Sequence, residues 1–496
     1  MLSKSKYCAF VQCPKNLWLS VYKPEAAKED SSLDSRMDSG NVIGDLAMRL
    51  FGDFVEVTAY RDDGRLDLSQ MISHTDELIR SGQEIICEAS FSYNGNYCAV
   101  DILKREGDGY AIYEVKSSTH ASRIYAVDIA YQKHVLEKCG IRVSGTYLVC
   151  INSDYVYDGE LRLGELFKIV DMSKWVAEES AQVETNIDLA NALISKSCEP
   201  TIDLSESCRD PYPCPFFEHC SSHLPSPSVF NLYRLGFKKE LDYYKQGIVS
   251  YEALERESVM KNHIRSLQIS HQLHDLGTYV DKKGIKKFLD TLSFPLYFLD
   301  FETIQPIVPE FVGTKPFSQI PFQYSLHYIE SEGGELEHKE FLGISGEDPR
   351  RAIAERLCED IPEDVCVLAY NKGFECGRIR ELAECFPDLA DHLLNIADNV
   401  RDLIDPFRAG HYYNRAMGGS FSIKSVLPAI YPDDPALDYH NLEGVHNGSE
   451  AMTIFPAIKD MSPEEQAKAR RNLLKYCELD TYAMVKVWEE LLRVIK

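Results

Sequence analysis

The sequence has no apolar run of the about 18 residues that a membrane-spanning helix requires. Its opening segment, MLSKSKYCAFVQCPKNLWLS, lacks the apolar stretch and small-residue cleavage site of an export signal, so a soluble, cytoplasmic protein with no membrane partner is expected. Positive charge is also scarce, with 53 Lys and Arg against 78 Asp and Glu and a formal net charge of −25. That balance argues against broad coating of duplex DNA, whose affinity rests on Lys and Arg neutralising phosphates. It leaves room for an enzyme whose acidic site meets phosphates through bound cations. Internal repeats and long low-complexity segments are absent as well. What is present is 496 residues, 44% of them hydrophobic, enough for two or three domains with ordinary cores. The 15 cysteines are spread through a chain without an export signal, so most should be reduced thiols in cores. A local cluster of them therefore calls for a metal.

Hydrophobic patterning predicts a mixed α/β chain. Residues 84–93, 96–106 and 109–118 read as strands separated by the turns Asn94-Gly95 and Gly107-Asp108, a short antiparallel meander. A helix over 126–136 and a buried strand at 143–152 follow. Pro225 and Pro227 mark a boundary near Ser221, giving a first domain over 1–222 and a helical, charged linker over 223–292. Residues 293–496 form the last domain, in which strands at 295–303, 321–330, 337–344 and 364–371 combine with helices at 349–361, 373–385 and 463–495. Strands, a helix, a strand and then helices resemble an RNase H-like layout.

Hydrolysis of a phosphodiester with two divalent ions needs carboxylates converging from distant parts of a fold. Asp300 and Glu302 follow the apolar run PLYFL, and strand period 2 sends both to one face. Glu375 ends the string Asn371-Lys372-Gly373-Phe374-Glu375, where a helix should begin; in Tyr476-Cys477-Glu478-Leu479-Asp480, i,i+4 spacing puts Tyr476 and Asp480 on one helix face. Singly, such acids also occur as turn formers, helix N-terminal charges or solvated helix residues. Together, Asp-x-Glu on a strand, an acid after Asn-x-x-aromatic, and Tyr-x-x-x-Asp resemble the DnaQ-like (DEDD) 3′–5′ exonucleases, across about 294–496. The resemblance implies that Asp300, Glu302, Glu375 and Asp480 bind two Mg²⁺ or Mn²⁺ ions and that Tyr476 positions the attacking water. Glu375 stands where that family has Asp, and Asp402 is the alternative acid.

In the N-terminal half Glu88, Asp101, Glu114 and Lys116 lie on successive predicted strands, and Gln132 lies on the helix that follows. Carboxylates with a nearby lysine resemble the PD-(D/E)xK nucleases, which implies that Asp101 and Glu114 hold a metal ion and Lys116 orients or activates water. Gln132 sits where RecB-family members carry a glutamine. Cys13 precedes this region, and Cys208, Cys214 and Cys220 follow it. That flanking resembles the iron–sulfur RecB-like nucleases, including the CRISPR-associated exonuclease and AddB, and implies a 4Fe–4S iron–sulfur cluster on these four thiolates. Zinc is the alternative metal and Cys8 the alternative to Cys13. The whole chain resembles a bacterial family of unknown function that fuses the two nuclease folds. The expectation is a metal-dependent exonuclease acting on single-stranded DNA or RNA, or on short oligonucleotides. Its rival is a non-catalytic nucleic-acid-binding or scaffold protein that retains nuclease folds.

Overall fold

A computed structural model of the chain describes residues 1–28, 32–257 and 261–496, with the backbone alone for 32–39. It is a mixed α/β structure divided into two compact units, residues 1–223 with 306–317 and residues 224–305 with 318–496. The segment 223–292, expected as a linker, therefore belongs from Leu224 onward to the second unit, with 258–260 outside the described residues. Residues 306–317, expected within the last domain, belong to the first. The reason is apolar: Ile307, Val308 and Phe317 pack into the core around Ile85, Tyr113 and Phe167.

The first unit is a seven-stranded sheet. Its strands are β1 (Leu2–Ser3), β2 (Val55–Glu56), β3 (Ile85–Tyr93), β4 (Asn96–Glu106), β5 (Gly109–Lys116), β6 (Val143–Ile151) and β7 (Phe167–Asp171), with β2 to β7 side by side in order and β1 pairing beside β4. Asn94 and Gly95, both at positive φ, close the β3–β4 hairpin, as an Asn-Gly turn should. The helix Arg123–Lys138 makes the crossover that lets β6 run parallel to β5. Alternate strand residues feed two cores, Ile86, Leu103, Ile112 and Leu148 on one face and Cys87, Ile102, Ala111 and Val149 on the other.

In the second unit β8 (Tyr279–Val280) pairs with β14 (Tyr412–Tyr413), which ties the helical segment after 224 to the rest of the unit. The main sheet has the order β11-β10-β9-β12-β13, formed by β9 (Leu296–Ile304), β10 (Ile320–Ile329), β11 (Glu337–Leu342), β12 (Cys366–Ala369) and β13 (Val400–Asp402). Strands β9, β10 and β11 are antiparallel; β12 runs parallel to β9 and β13. Along β9 the residues Tyr297, Leu299 and Phe301 enter the core made with helices Arg350–Asp360, Gly373–Cys385 and Ala390–Asp398. The intervening residues turn to the other face, where the long helix Pro463–Ile495 lies, with Trp488 edge-on to Phe298 and the Leu473 carbonyl accepting from Gln323 Nε2 at 2.8 Å. Among the described residues no helix is long and apolar enough to cross a membrane.

Candidate metal centre

The face of β9 opposite its core carries Asp300 and Glu302, and the facing helix Pro463–Ile495 brings Tyr476, Cys477 and Asp480 against them. That helix starts at a full capping box between Ser462 and Glu465, which fixes the register of everything downstream. Asp300, Glu302 and Asp480 each offer an oxygen within 4.8 Å of the others, and among the described residues they are the group of three or more ligating side chains that meet so closely. Glu302 and Asp480 are buried, and Asp300 is half-buried. Burial, then Asp480, Glu302 and Glu375, push the Asp300 carboxyl well above its ordinary value. Burial and Asp480 push Glu302 up to about 8, and burial also raises Asp480. Three carboxylates gathered away from water repel one another unless protons or cations share the space. Hard oxygen donors of this kind suit Mg²⁺ or Mn²⁺.

Glu375, in the first turn of the helix Gly373–Cys385, stands outside that group of three. It is 3% exposed, its Oε2 has no hydrogen-bond partner, and burial pushes its carboxyl up to about 8. Its charge is felt at Asp300. An orphaned, buried carboxylate oxygen whose charge is felt at Asp300 fits a group that a cation would satisfy. Asp402, the alternative acid, is already engaged. Its Oδ1 accepts from the backbone N–H of Asn371 at 2.8 Å and its Oδ2 from that of Lys372 at 3.2 Å. It thereby anchors the turn that presents Glu375, in which Asn371 sits at φ 75°, a conformation asparagine tolerates.

Sequence reasoning missed four residues around this centre. The Tyr439 hydroxyl donates to Asp480 Oδ1 at 2.6 Å, and Lys424 Nζ donates to the Tyr476 hydroxyl and to the His446 carbonyl, each at 3.2 Å. A Cβ on Gly448, the first residue of the helix Gly448–Ala457, would lie 3.3 Å from Glu302 Oε2, so a side chain there would crowd the carboxylate. These residues carry no fixed spacing to either motif. The Asn447-Gly448 pair, a cap followed by a residue without a side chain, was the signal available.

Residues 297–422 match the family model of a domain of unknown function, DUF2779. The match covers Asp300, Glu302 and Glu375 and ends before Lys424, Tyr476 and Asp480. The uncharacterized protein MG366 homolog of Mycoplasma pneumoniae is 29% identical over 237 residues, covering 43% of this chain and 35% of that protein. The uncharacterized protein MG366 of Mycoplasma genitalium is 27% identical over 269 residues, covering 45% of this chain and 40% of that protein. The uncharacterized protein UU173 of Ureaplasma parvum is 27% identical over 233 residues, with 41% and 32% covered. The chain thus matches only 32% to 40% of the length of these curated relatives.

The first unit gathers its own acidic cluster. Glu114, fully buried on β5, accepts from Lys116, from Lys4 Nζ at 2.9 Å and from Gln132 Nε2 at 2.6 Å. Asp128, one helical turn before Gln132, accepts from Lys116 at 3.2 Å and from Gln132 at 3.0 Å. Lys4 and Asp128 were not anticipated. Asp101 Oδ2 accepts the backbone N–H of Val115 at 2.7 Å, and burial followed by Glu114 pushes its carboxyl up to about 6. Glu88 lies in the same field, pushed up to about 8 by burial and Asp101, and its backbone has φ 54°, a strained value of the kind that gathers at functional sites. The expected metal pair Asp101 and Glu114 thus meets a neighbourhood in which Glu114 is already neutralised. Burial would raise the Glu114 carboxyl, but Lys116 and Lys4 hold it below its ordinary range.

Cys13, Cys208, Cys214 and Cys220 line one small cavity with Lys15, Leu19 and Phe216. Gln12 Nε2 donates to the Ser207 and Tyr212 carbonyls at 2.9 and 2.7 Å, which pins the segment before Cys13 to the loop that carries the other three cysteines. Burial pushes the Cys214 thiol up to about 11, with Cys13, Cys208 and Cys220 adding to it. Cys8 faces the other way: after burial, its strongest influences are Asp128, Lys4 and Lys116 of the acidic cluster.

Proposed function

We propose that the second unit is a metal-dependent 3′–5′ exonuclease of the DnaQ-like kind, acting on single-stranded DNA or RNA or on short oligonucleotides. The observation that carries this reading is the convergence of Asp300, Glu302 and Asp480, from a strand and a helix far apart in sequence, with Tyr476 one helical turn from Asp480. The sheet order β11-β10-β9-β12-β13, with the first three strands antiparallel, supports an RNase H-like fold. Asp300, Glu302 and Asp480 would hold the ions, with Glu375 beside Asp300 available to a second. Bound Mg²⁺ or Mn²⁺ supplies Lewis acidity and charge neutralisation at the phosphate. The chain's own residues do the positioning: Tyr439 holds the Asp480 carboxylate, and the Tyr476 hydroxyl would hold a water for in-line attack. A net charge of −25 suits short or single-stranded substrates better than long duplex.

For the first unit we propose a RecB-like PD-(D/E)xK nuclease fold whose ends are clamped by a 4Fe–4S cluster on Cys13, Cys208, Cys214 and Cys220. The four thiols share one cavity, yet no three of them lie within 4.8 Å of one another among the described residues. A zinc ion with thiolates at about 2.3 Å would draw them closer than that, whereas a cluster takes one thiolate per corner. The pairing of Glu114 with Lys4 and Lys116 favours a second reading for this unit, in which the fold persists and binds nucleic acid without turnover.

The test is Mn²⁺-dependent digestion of 5′-labelled single-stranded DNA and RNA by the full chain and by Asp300→Ala. A ladder of 3′-shortened products from the wild type, absent in the variant and in EDTA, is the expected result. Equal digestion by both proteins would place the chemistry elsewhere.

A further inference from the structure

A positive charge to which no motif points stands at the rim of the proposed exonuclease centre. Lys424 lies in the first turn of the helix Ile423–Ile430. The residue as a whole is exposed, but its head is held. Nζ donates to the Tyr476 hydroxyl and to the His446 carbonyl at 3.2 Å each, and it sits 4.8 Å from the ring centroid of Tyr439 and 5.1 Å from that of Tyr476. Two acceptors and two aromatic faces restrain the ammonium, which a merely solvated lysine would not show. An ammonium has three N–H donors; two are used here, and the third has no protein acceptor among the described residues. Both aromatic partners adjoin Asp480, Tyr439 through its hydrogen bond and Tyr476 one helical turn away. The ammonium's field reaches Asp300, Glu302 and Asp480, opposing at each the effect of burial.

We propose that Lys424 is a working part of this centre. Its ammonium is the resident counter-charge of Asp300, Glu302 and Asp480, it holds the Tyr476 hydroxyl by a lone pair, and it offers its third N–H to a non-bridging oxygen of the phosphodiester. The phosphate and tyrosine roles rest on the exonuclease reading; the counter-charge role rests on the ammonium's place against Tyr439 and Tyr476, the two rings that adjoin Asp480. An ammonium and a divalent ion compete for one carboxylate field, so removing the ammonium strengthens ion binding. The same removal takes a donor from the phosphate and leaves the Tyr476 hydroxyl free to rotate. A lysine that only packs would do neither.

The experiment uses the full chain as wild type, Lys424→Met and Lys424→Arg, each checked for folding by circular dichroism. Free Mn²⁺ is followed by electron paramagnetic resonance without nucleic acid, and single-turnover cleavage of a labelled single-stranded oligonucleotide is followed at saturating Mn²⁺. Lys424→Met is expected to bind Mn²⁺ about 5-fold more tightly. It should cleave about 10-fold to 100-fold more slowly, with Lys424→Arg between it and the wild type in both measurements. Unchanged or weaker Mn²⁺ binding in Lys424→Met overturns the proposal, whatever the rate does. Tighter binding with an undiminished rate overturns the phosphate and tyrosine roles. A wild-type chain that binds Mn²⁺ but cleaves nothing sinks the exonuclease reading, while the Mn²⁺ titration of the variants still decides the counter-charge.

Discussion

The two units handle the same chemical problem, several carboxylates gathered away from water, in opposite ways. In the second unit Asp300, Glu302 and Asp480 meet with no lysine or arginine paired to them among the described residues, the Lys424 ammonium donating instead to Tyr476 beside them, and their carboxyls are pushed up. In the first unit Asp101 and Glu88 are pushed up as well, but the innermost acid, Glu114, is paired directly with Lys4 and Lys116 and bonded by Gln132, and its carboxyl is held low. An under-compensated cluster is a place prepared for cations; a compensated one is stable as it stands. The difference shows that counting acids does not identify a metal site, because the charge left over after the protein's own cations decides it.

The comparison breaks most sharply under paired substitutions. Asp480→Asn should lower Mn²⁺-dependent cleavage by roughly 1,000-fold or more, the scale of losing an ion ligand, while the ion-free protein becomes no less stable because a repulsion is relieved. Glu114→Gln should do the reverse in kind. It leaves Asp128 as the carboxylate that Lys4 and Lys116 share, which costs about 3 kcal/mol of stability, the low end for breaking a buried pair. Urea unfolding of both variants in EDTA checks the contrast; equal destabilisation would mean that the two clusters are electrostatically alike.

Cys214→Ala tests the first unit's other anchor. Protein purified without oxygen should be brown and contain iron and acid-labile sulfide, and the variant should lose the colour and expose the segment around 199–220 to proteolysis. Stoichiometric zinc in colourless wild-type protein would overturn the cluster.

A pH series distinguishes the units without mutation. Burial pushes the folded-state values of Glu302 and Glu375 up to about 8 from an ordinary 4.5. Such groups contribute stability that is present below about 4.5 and lost as pH rises through about 8. Glu114 is depressed below 4.5, so its contribution is present above that value and lost as pH falls. In EDTA, the hydrogen-exchange protection of β9, with intrinsic rates divided out, should therefore fall only as pH rises towards 8, whereas β5, beside Asp101 and Glu88 that are raised too, should also lose protection on acidification through Glu114. Adding Mn²⁺ at about 100 times its Kd should stabilise the second unit by about 2.7 kcal/mol per ion at the alkaline end. Parallel pH responses in β9 and β5 would remove the electrostatic distinction drawn between them.

What could be read from the sequence followed from local periodicity. Strand period 2 put Asp300 and Glu302 on one face, and helical spacing put Tyr476 beside Asp480, so both halves of the acidic cluster were legible before their meeting was. The order of strands and helices was legible for the same reason. Lys424, Tyr439, Lys4 and Asp128 were not, because each reaches its site from a segment with no repeating relation to the motif it serves. Asp402 was visible as an acid, but its backbone hydrogen bonds, which make it a turn anchor, were not. The helical character of the segment after 224 was legible, but not its strand pairing with Tyr412–Tyr413, a two-residue pairing too brief for pattern reading.

The smallest effect concerns Lys4, and it asks whether the first unit's compensation is shared. Lys4 Nζ lies 2.9 Å from Glu114 and 3.6 Å from Asp128, with only 23% of its side chain exposed. Burial would lower the lysine's affinity for its proton, but Glu114 and Asp128 more than reverse that. Lys4→Met keeps most of the packing and removes the charge. Because Lys116 and Gln132 remain on Glu114, the loss should be about 1.5 kcal/mol, at the low end for a hydrogen bond to a charged group. Sharing also predicts non-additivity: after Lys116→Met, removing Lys4 takes the last ammonium from Glu114 and should cost more than it does in the wild type. A double-mutant cycle by urea unfolding at pH 7 measures that coupling. Additive losses would mean that Lys4 and Lys116 act on separate partners, and that Glu114 is held ionised by one lysine alone.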